Sequence, residues 1–264
     1  MNPREALARI PGFAGAEPGI VLSDGVTSLT ILVQHLQRRY VLRIDKPAAA
    51  ELGLDRRAEE EILRLVAAGG LSPEPVYFND RDGLFMRAFT PGTNWAFSEL
   101  HNKKSLKRLA GVLRTLHTLP AVKRQFDPLA AVDRYAQQSG TDEAWRLASE
   151  ALAMHSEIPE PGQLCLCHND LVHHNILDHD GISLIDWEFA GMGDPMFDIA
   201  VLAEHHRIPD RLVDWLLRHY FERPATEAEK EHLLLQRAFY TKLEALWYLR
   251  TGTDRRPLEI IMEE

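Results

Sequence analysis

Cys165-Leu-Cys-His168-Asn-Asp170-Leu-Val-His-His-Asn175-Ile-Leu-Asp-His-Asp-Gly181-Ile-Ser-Leu-Ile-Asp186-Trp-Glu188 is the stretch on which the fold turns. Its two apolar runs, residues 164–167 and 182–185, are strand-like and are joined by a polar loop and a glycine turn. Folded as a small hairpin-like unit, they would bring Asp170, Asn175 and Asp186 to one end.

On the N-terminal side the chain reads as β structure. Gly19-Ile-Val-Leu, Ser28-Leu-Thr-Ile-Leu-Val33 and Tyr40-Val-Leu-Arg-Ile44 are short, β-branched or aromatic, and bounded by turn residues. Residues 55–68 change period: Ile62, Leu65 and Val66 fall at helical spacing behind Glu59-Glu60-Glu61, and Gly69-Gly70 stops the helix. Val76-Tyr-Phe and Leu84 to Phe89 give two more strands, closed by Pro91-Gly92. Beyond that point helices dominate: one through Leu106, Leu109, Leu113 and Leu116, then 128–138, 141–155, 209–221 and 226–250. Strands followed by helices argue an α+β protein in two lobes, 1–89 and 90–264, with a ligand cleft between them.

Composition narrows the chemistry. The 264 residues are 45% hydrophobic and 26% charged, as in an ordinary globular chain. Thirty basic against thirty-nine acidic side chains leave a net charge of −9, which argues against nucleic acid as a partner. Two cysteines, Cys165 and Cys167, lie too close in sequence for a disulfide framework, and a cytoplasmic location is the default expectation. No apolar run is long enough to cross a membrane, and the first residues lack the pattern of a secretory signal. The pairs His173-His174 and His205-His206 are expected to be structural, because sequence neighbours rarely converge on one metal ion.

A carboxylate placed to accept a hydroxyl proton, beside an Asn and a second Asp able to hold a hard cation through oxygen, is what phosphoryl transfer requires. His168 to Asn175 fits the catalytic-loop pattern H-x-D-L-x-x-x-N, and Ile185-Asp186-Trp187-Glu188 stands where D-F-G would follow in a protein kinase. With I-D-W-E in that place, the chain resembles the aminoglycoside-phosphotransferase and choline-kinase superfamily of small-molecule kinases. Ile185 to Ala200 looks like the segment of bacterial choline-kinase-type enzymes, and thiamine kinases carry a similar I-D-W-E-Y-A-G. Val41-Leu-Arg43-Ile44 is similar to the family's V-L-R-I strand, Asp55-Arg-Arg-Ala-Glu59 to its D-R-x-x-E helix, and Leu22-Ser-Asp-Gly25-Val-Thr-Ser28 to its phosphate-covering loop L-S-G-G-x-T-N. Asp24 and Ser28 depart from that loop. A carboxylate near phosphates either points away or weakens nucleotide binding.

The resemblance implies a bilobal protein-kinase-like fold that uses ATP and Mg²⁺ to phosphorylate the hydroxyl of a small, cationic metabolite. Choline is the first expectation, thiamine or ethanolamine the next, and an aminoglycoside or a catalytically weak nucleotide-binding module the alternative. It implies Asp170 as the group that accepts the hydroxyl proton, with His168 bracing the loop, and Asn175 and Asp186 as metal ligands. Arg43, paired with Glu59, would meet the nucleotide phosphates together with Ser23 and Gly25, and the backbone at Ala88 would meet the base. A cationic acceptor needs aromatic faces and negative potential. Trp187 and Glu188 are expected to supply them with Tyr240, Glu244 and Trp247, three residues that share one face of the last helix.

Overall fold

A computed structural model describes residues 1–252; residues 253–264, the end of the expected second lobe, lie outside the described residues. The N-terminal part is a five-stranded antiparallel sheet in the order β1-β2-β3-β5-β4. Its strands are β1 (Glu17–Asp24), β2 (Ser28–His35), β3 (Arg38–Asp45), β4 (Pro75–Asn79) and β5 (Leu84–Ala88). Period-two alternation on β3 decides what each face does. Leu42 and Ile44 join Ile31, Val33, Leu84 and Met86 under α1 (Pro3–Arg9), which contributes Ala6 and Leu7. Arg43 projects to the opposite face and meets Glu59 of α3 (Arg56–Ala68).

Two short helices were not expected here. Helix α1 carries a capping box, Asn2 with Glu5, and a proline in its first turn, while α2 (Pro47–Glu51) is a five-residue turn of helix between β3 and α3. The β2–β3 turn places Leu36 and Gln37 at φ 44° and 62°, a left-handed pair whose twist suits a tight hairpin although neither residue is glycine.

The chain leaves the sheet at Phe89, whose N–H donates to Arg39 O at 3.0 Å. Gly92 then passes so close to Asp178 O that a Cβ there would sit 2.8 Å from it. The strand β6 (Thr93–Asn94) pairs with β8 (Ile176–Asp178), which pairs in turn with β9 (Ile182–Leu184). The expected hairpin of residues 164–167 with 182–185 does not form. Instead β7 (Cys165–Cys167), all three residues of which are buried, pairs antiparallel with β10 (Gly191–Gly193), Cys167 opposite Gly191 and Cys165 opposite Gly193. The two buried thiols are free, with sulfurs 3.7 Å apart.

Around these ribbons lie α4 (Lys103–His117), α5 (Pro128–Ser139), α6 (Asp142–Ser156), α7 (Pro195–His205), α8 (Asp210–Tyr220) and α9 (Glu227–Thr251). Helix α7 has no polar stripe: Met196, Phe197 and Ile199 to Ala203 are buried all round, so it is the central rod of the C-terminal core. Among the described residues no helix is long and apolar enough to cross a membrane.

Candidate active site

The loop that carries Asp170 is tied down before any ligand is considered. Asn169 sits at φ 63°, a left-handed conformation that Asn tolerates better than most residues. Asp198, on the first turn of α7 and fully buried, explains how the turn is held. Its Oδ2 accepts the main-chain N–H of His168 at 2.9 Å, and its Oδ1 accepts that of Asn169 at 2.7 Å. Nε2 of His117 lies 3.1 Å from the same Oδ2.

His168 is also completely buried. Its Nε2 donates to Ile185 O at 2.9 Å, so Nδ1 is the acceptor for the Asp170 N–H at 3.3 Å. Burial lowers its pKa and keeps the ring neutral. His168 therefore ties the Asp170 loop to the residue preceding Asp186; it reaches no cavity and is a positioning residue.

Asn175 joins the expected trio. Its Nδ2 donates to Asp170 O at 2.9 Å and to Asp170 Oδ2 at 3.0 Å, and its own carbonyl accepts the Ile185 N–H at 2.9 Å. Desolvation pushes the Asp170 carboxyl up to about 6. Asp186 stands at φ 67° and is solvent-exposed along its side chain. The protein packed around it raises its pKa, and the negative charge of Asp170 adds to this, while its exposed surface leaves water to offset part of the rise. Among the described residues nothing hydrogen-bonds to the Asp186 carboxylate, and Asn175 has spent its amide hydrogens on Asp170, leaving Oδ1 as an acceptor. Oxygen donors of this kind fit Mg²⁺.

On the sheet side Arg43 donates to both oxygens of Glu59, at 2.6 and 2.9 Å. Burial opposes both charges, and each is held ionised by the other. Arg56 extends the cluster: Nη1 reaches Glu59 at 2.6 Å and Glu188 at 3.1 Å, while Nε and Nη2 reach Asp45 at 2.7 and 2.8 Å. The Thr27 hydroxyl donates to the other oxygen of Glu188 at 3.1 Å. Ser23 lies at the exposed end of β1 and Gly25 on the turn that follows, with the Gly25 N–H donating to Ser28 O, and Ala88 ends β5 where the chain leaves the sheet.

Two acceptor-side expectations are corrected. Glu188 is committed to Thr27 and Arg56 in the interlobe cluster, where burial pushes its carboxyl up to about 7. Trp187 is 1% exposed, donates its indole N–H to Leu184 O and packs on His168, so its ring faces the core and no ligand. After the left-handed Asp186 the Trp187 indole turns into the core and the Glu188 carboxylate into the ion cluster, and neither lines the cavity beside Asp170.

A cavity of about 290 Å³ opens beside Asp170 instead. Tyr240, Glu244 and Trp247 line it as expected, together with Tyr135, Phe189 and His205. His205 Nδ1 donates to Glu244 at 2.7 Å, and the Tyr240 hydroxyl lies 3.3 Å from the same oxygen. Tyr135 and Phe189 meet the Trp247 ring edge-on at 5.4 and 6.3 Å, and the Arg250 guanidinium lies 4.9 Å from that ring.

The histidine pairs also depart from expectation. His173, His205 and His206 bring ring nitrogens within 4.8 Å of one another. His206 has none to spare, since Nδ1 donates to Leu202 O and Nε2 accepts the His173 N–H. Asp198 and His205 are the functional neighbours that motif reading missed. An acid set in the apolar run from Met196 to Ala203 was the available signal for the first.

The sequence matches the family described as Phosphotransferase enzyme family over residues 19–234. Protein LicA of Haemophilus influenzae is 27% identical over 244 residues, covering 86% of this chain and 70% of LicA. Thiamine kinase of Escherichia coli is 28% identical over 213 residues, covering 77% of this chain and 73% of that enzyme. The crystal structure of a choline/ethanolamine kinase family protein from Mesorhizobium loti superposes with a TM-score of 0.75 at 25% identity, covering 97% of this chain and 87% of that one. With the match spanning both the Arg43 sheet and the Asp170 loop, this chain belongs to the phosphotransferase enzyme family.

Proposed function

We propose that the protein transfers the γ-phosphoryl group of ATP to the hydroxyl of a small cationic metabolite, with choline first and thiamine or ethanolamine next. The observation that supports this most is the cavity in which Asp170 shares walls with Glu244, Tyr240 and Trp247. Aromatic faces and a carboxylate suit a cation that lacks N–H donors, and Asp170 at the same cavity is placed for the alcohol end.

In this mechanism Asp170 orients the hydroxyl and accepts its proton, aimed by the Asn175 amide. A carboxyl pushed up to about 6 stays ionised at neutral pH and is a stronger base than an exposed one. Arg43, fixed by Glu59, meets the nucleotide phosphates, with the turn at Ser23 and Gly25 covering them and the backbone at Ala88 facing the base. Asn175 Oδ1 and Asp186 would hold Mg²⁺, which neutralises phosphate charge when bound. The working units are an N-lobe of residues 1–89 and a C-lobe of 90–264. A cytoplasmic site of action suits the need for ATP and the two unpaired thiols.

Similarity to a thiamine kinase and to a choline/ethanolamine kinase family protein supports acceptors of this class. A cavity of about 290 Å³ favours them over a multi-ring aminoglycoside. ATP consumption measured with choline, ethanolamine, thiamine and kanamycin separates the options. Asp170→Asn should lower kcat by about 10²–10⁴-fold while nucleotide still binds; near-normal turnover in that variant overturns the assignment.

A further inference from the structure

Asp24 is the residue of the phosphate-covering loop that electrostatics makes hardest to accommodate, and the structure gives it a partner. The Lys46 ammonium lies 2.5 Å from Asp24 Oδ1 and donates to Gly25 O at 2.6 Å, so one side chain bridges a carboxylate and a carbonyl of the turn. The Lys46 main chain adds a third tie, its N–H donating to Thr27 O at 2.8 Å. Further along the same loop, the Thr27 hydroxyl reaches Glu188, two residues beyond Asp186. The loop that carries Asp24 thus closes on the segment that bears the metal-side carboxylate, where without Lys46 an arriving polyphosphate would meet an uncompensated negative charge.

We propose that Lys46 is a positioning residue for the phosphate donor: it cancels the charge of Asp24 and holds the Asp24–Thr27 turn in its receiving shape. This rests on the reading that the cleft takes ATP. No hydrogen bond or ion pair within the described residues gives Asp24 any other cationic partner, and Lys46 is the first residue after β3, three positions beyond Arg43, so both cations are presented from the same end of that strand. The pair is partly open to water, Lys46 at 36% and Asp24 at 66% side-chain exposure, so its effect is sensitive to salt. Lys46 contributes through Asp24, with no contact of its own to the phosphates required.

Four proteins decide the matter: the wild type, Lys46→Met, Asp24→Gly and the double variant, with Lys46→Arg as the charge-preserving control. Binding of Mg·ATP to the full chain is measured by calorimetry without an acceptor, and KM and kcat are then measured with an acceptor the wild type turns over. Lys46→Met should weaken ATP binding and raise its KM by about tenfold, with kcat changed by less than about twofold. Lys46→Arg should stay within about threefold of wild type. The double variant should recover most of the loss, because the charge that needed cancelling is gone. Raising NaCl from about 0.05 to 0.5 M should shrink the difference between Lys46→Met and wild type. An unchanged KM in Lys46→Met overturns the proposal. So does a double variant as weak as Lys46→Met, which would place Lys46 on the phosphates directly. A wild type that binds no Mg·ATP in the calorimeter refutes the functional reading itself, a different outcome from either of these.

Discussion

Replacing Asp198 with asparagine tests whether one buried carboxylate sets the geometry of the catalytic loop. In the native protein Oδ2 accepts from the His168 N–H and faces His117, while Oδ1 accepts from the Asn169 N–H. Asparagine keeps the shape but turns one oxygen into an NH₂ group. Whichever way the amide is turned, one main-chain N–H loses its acceptor and faces a donor. Hydrogen bonds to a charged group contribute about 1.5–3 kcal/mol, and a stranded buried N–H costs about 1–3 kcal/mol. Because the lost bond and the stranded group overlap, the expected loss is about 2–4 kcal/mol, within the roughly 5–15 kcal/mol available to a folded domain. The variant should therefore fold. Asp170 is the next residue after Asn169, and a shift of about 1 Å in it should lower kcat by about 10²-fold, with KM for ATP within about threefold because Arg43 and Glu59 are untouched. Urea unfolding at 25 °C and kinetics at saturating ATP read the two effects separately. Stability within about 0.5 kcal/mol of wild type together with unchanged kcat would refute the reasoning.

The pH dependence follows from Asp170. Its carboxyl rises from 3.8 to about 6, and catalysis needs the ionised form, so kcat/KM should climb as pH increases through about 6. Stability should run the other way in protein without nucleotide or metal. The folded state keeps a proton that the unfolded chain has released, so chemical denaturation should show stability falling as pH rises from about 4 to 6. Trp247→Ala should raise KM for a quaternary ammonium acceptor by about tenfold, whereas Trp187→Ala should leave KM alone and cost about 3–5 kcal/mol in thermal unfolding; equal KM effects would mean the cavity is misplaced. Glu59→Gln strips a carboxylate from between two buried guanidinium groups and should destabilise the fold by about 3–5 kcal/mol, measured by urea titration.

Residue patterns announced most of the architecture because they carry periodicity or punctuation. The sheet strands alternate, the helices through Leu106 and Leu116 or Tyr240 and Trp247 repeat at 3.6, and glycines mark the ends. Helix α7 escaped because an element buried on every side has no polar stripe to betray it. Helix α1 was legible in its Asn2–Glu5 capping box but lies ahead of any motif. The pairing of β7 with β10 depends on tertiary packing and leaves no local trace. At the site, Asp170 and Asn175 do meet, but through the 3-10 turn and the β8–β9 pairing and not through the hairpin that the apolar runs suggested. Spacing said nothing about which way Trp187 and Glu188 turn after a left-handed Asp186, and neither lines the cavity beside Asp170.

Helix α7 fastens the Asp170 loop at one end through Asp198 and grips Glu244 at the other through His205. Seven residues separate the two grips, about 10 Å of helical rise. The Asp170 end and the Glu244 end of the cavity are thereby mounted on a single stiff rod, which works as a calliper. On the proposed function, an acceptor would be gauged by the span between its alcohol and its positive centre, and a span longer or shorter by one methylene would have to be met by moving the middle of the core.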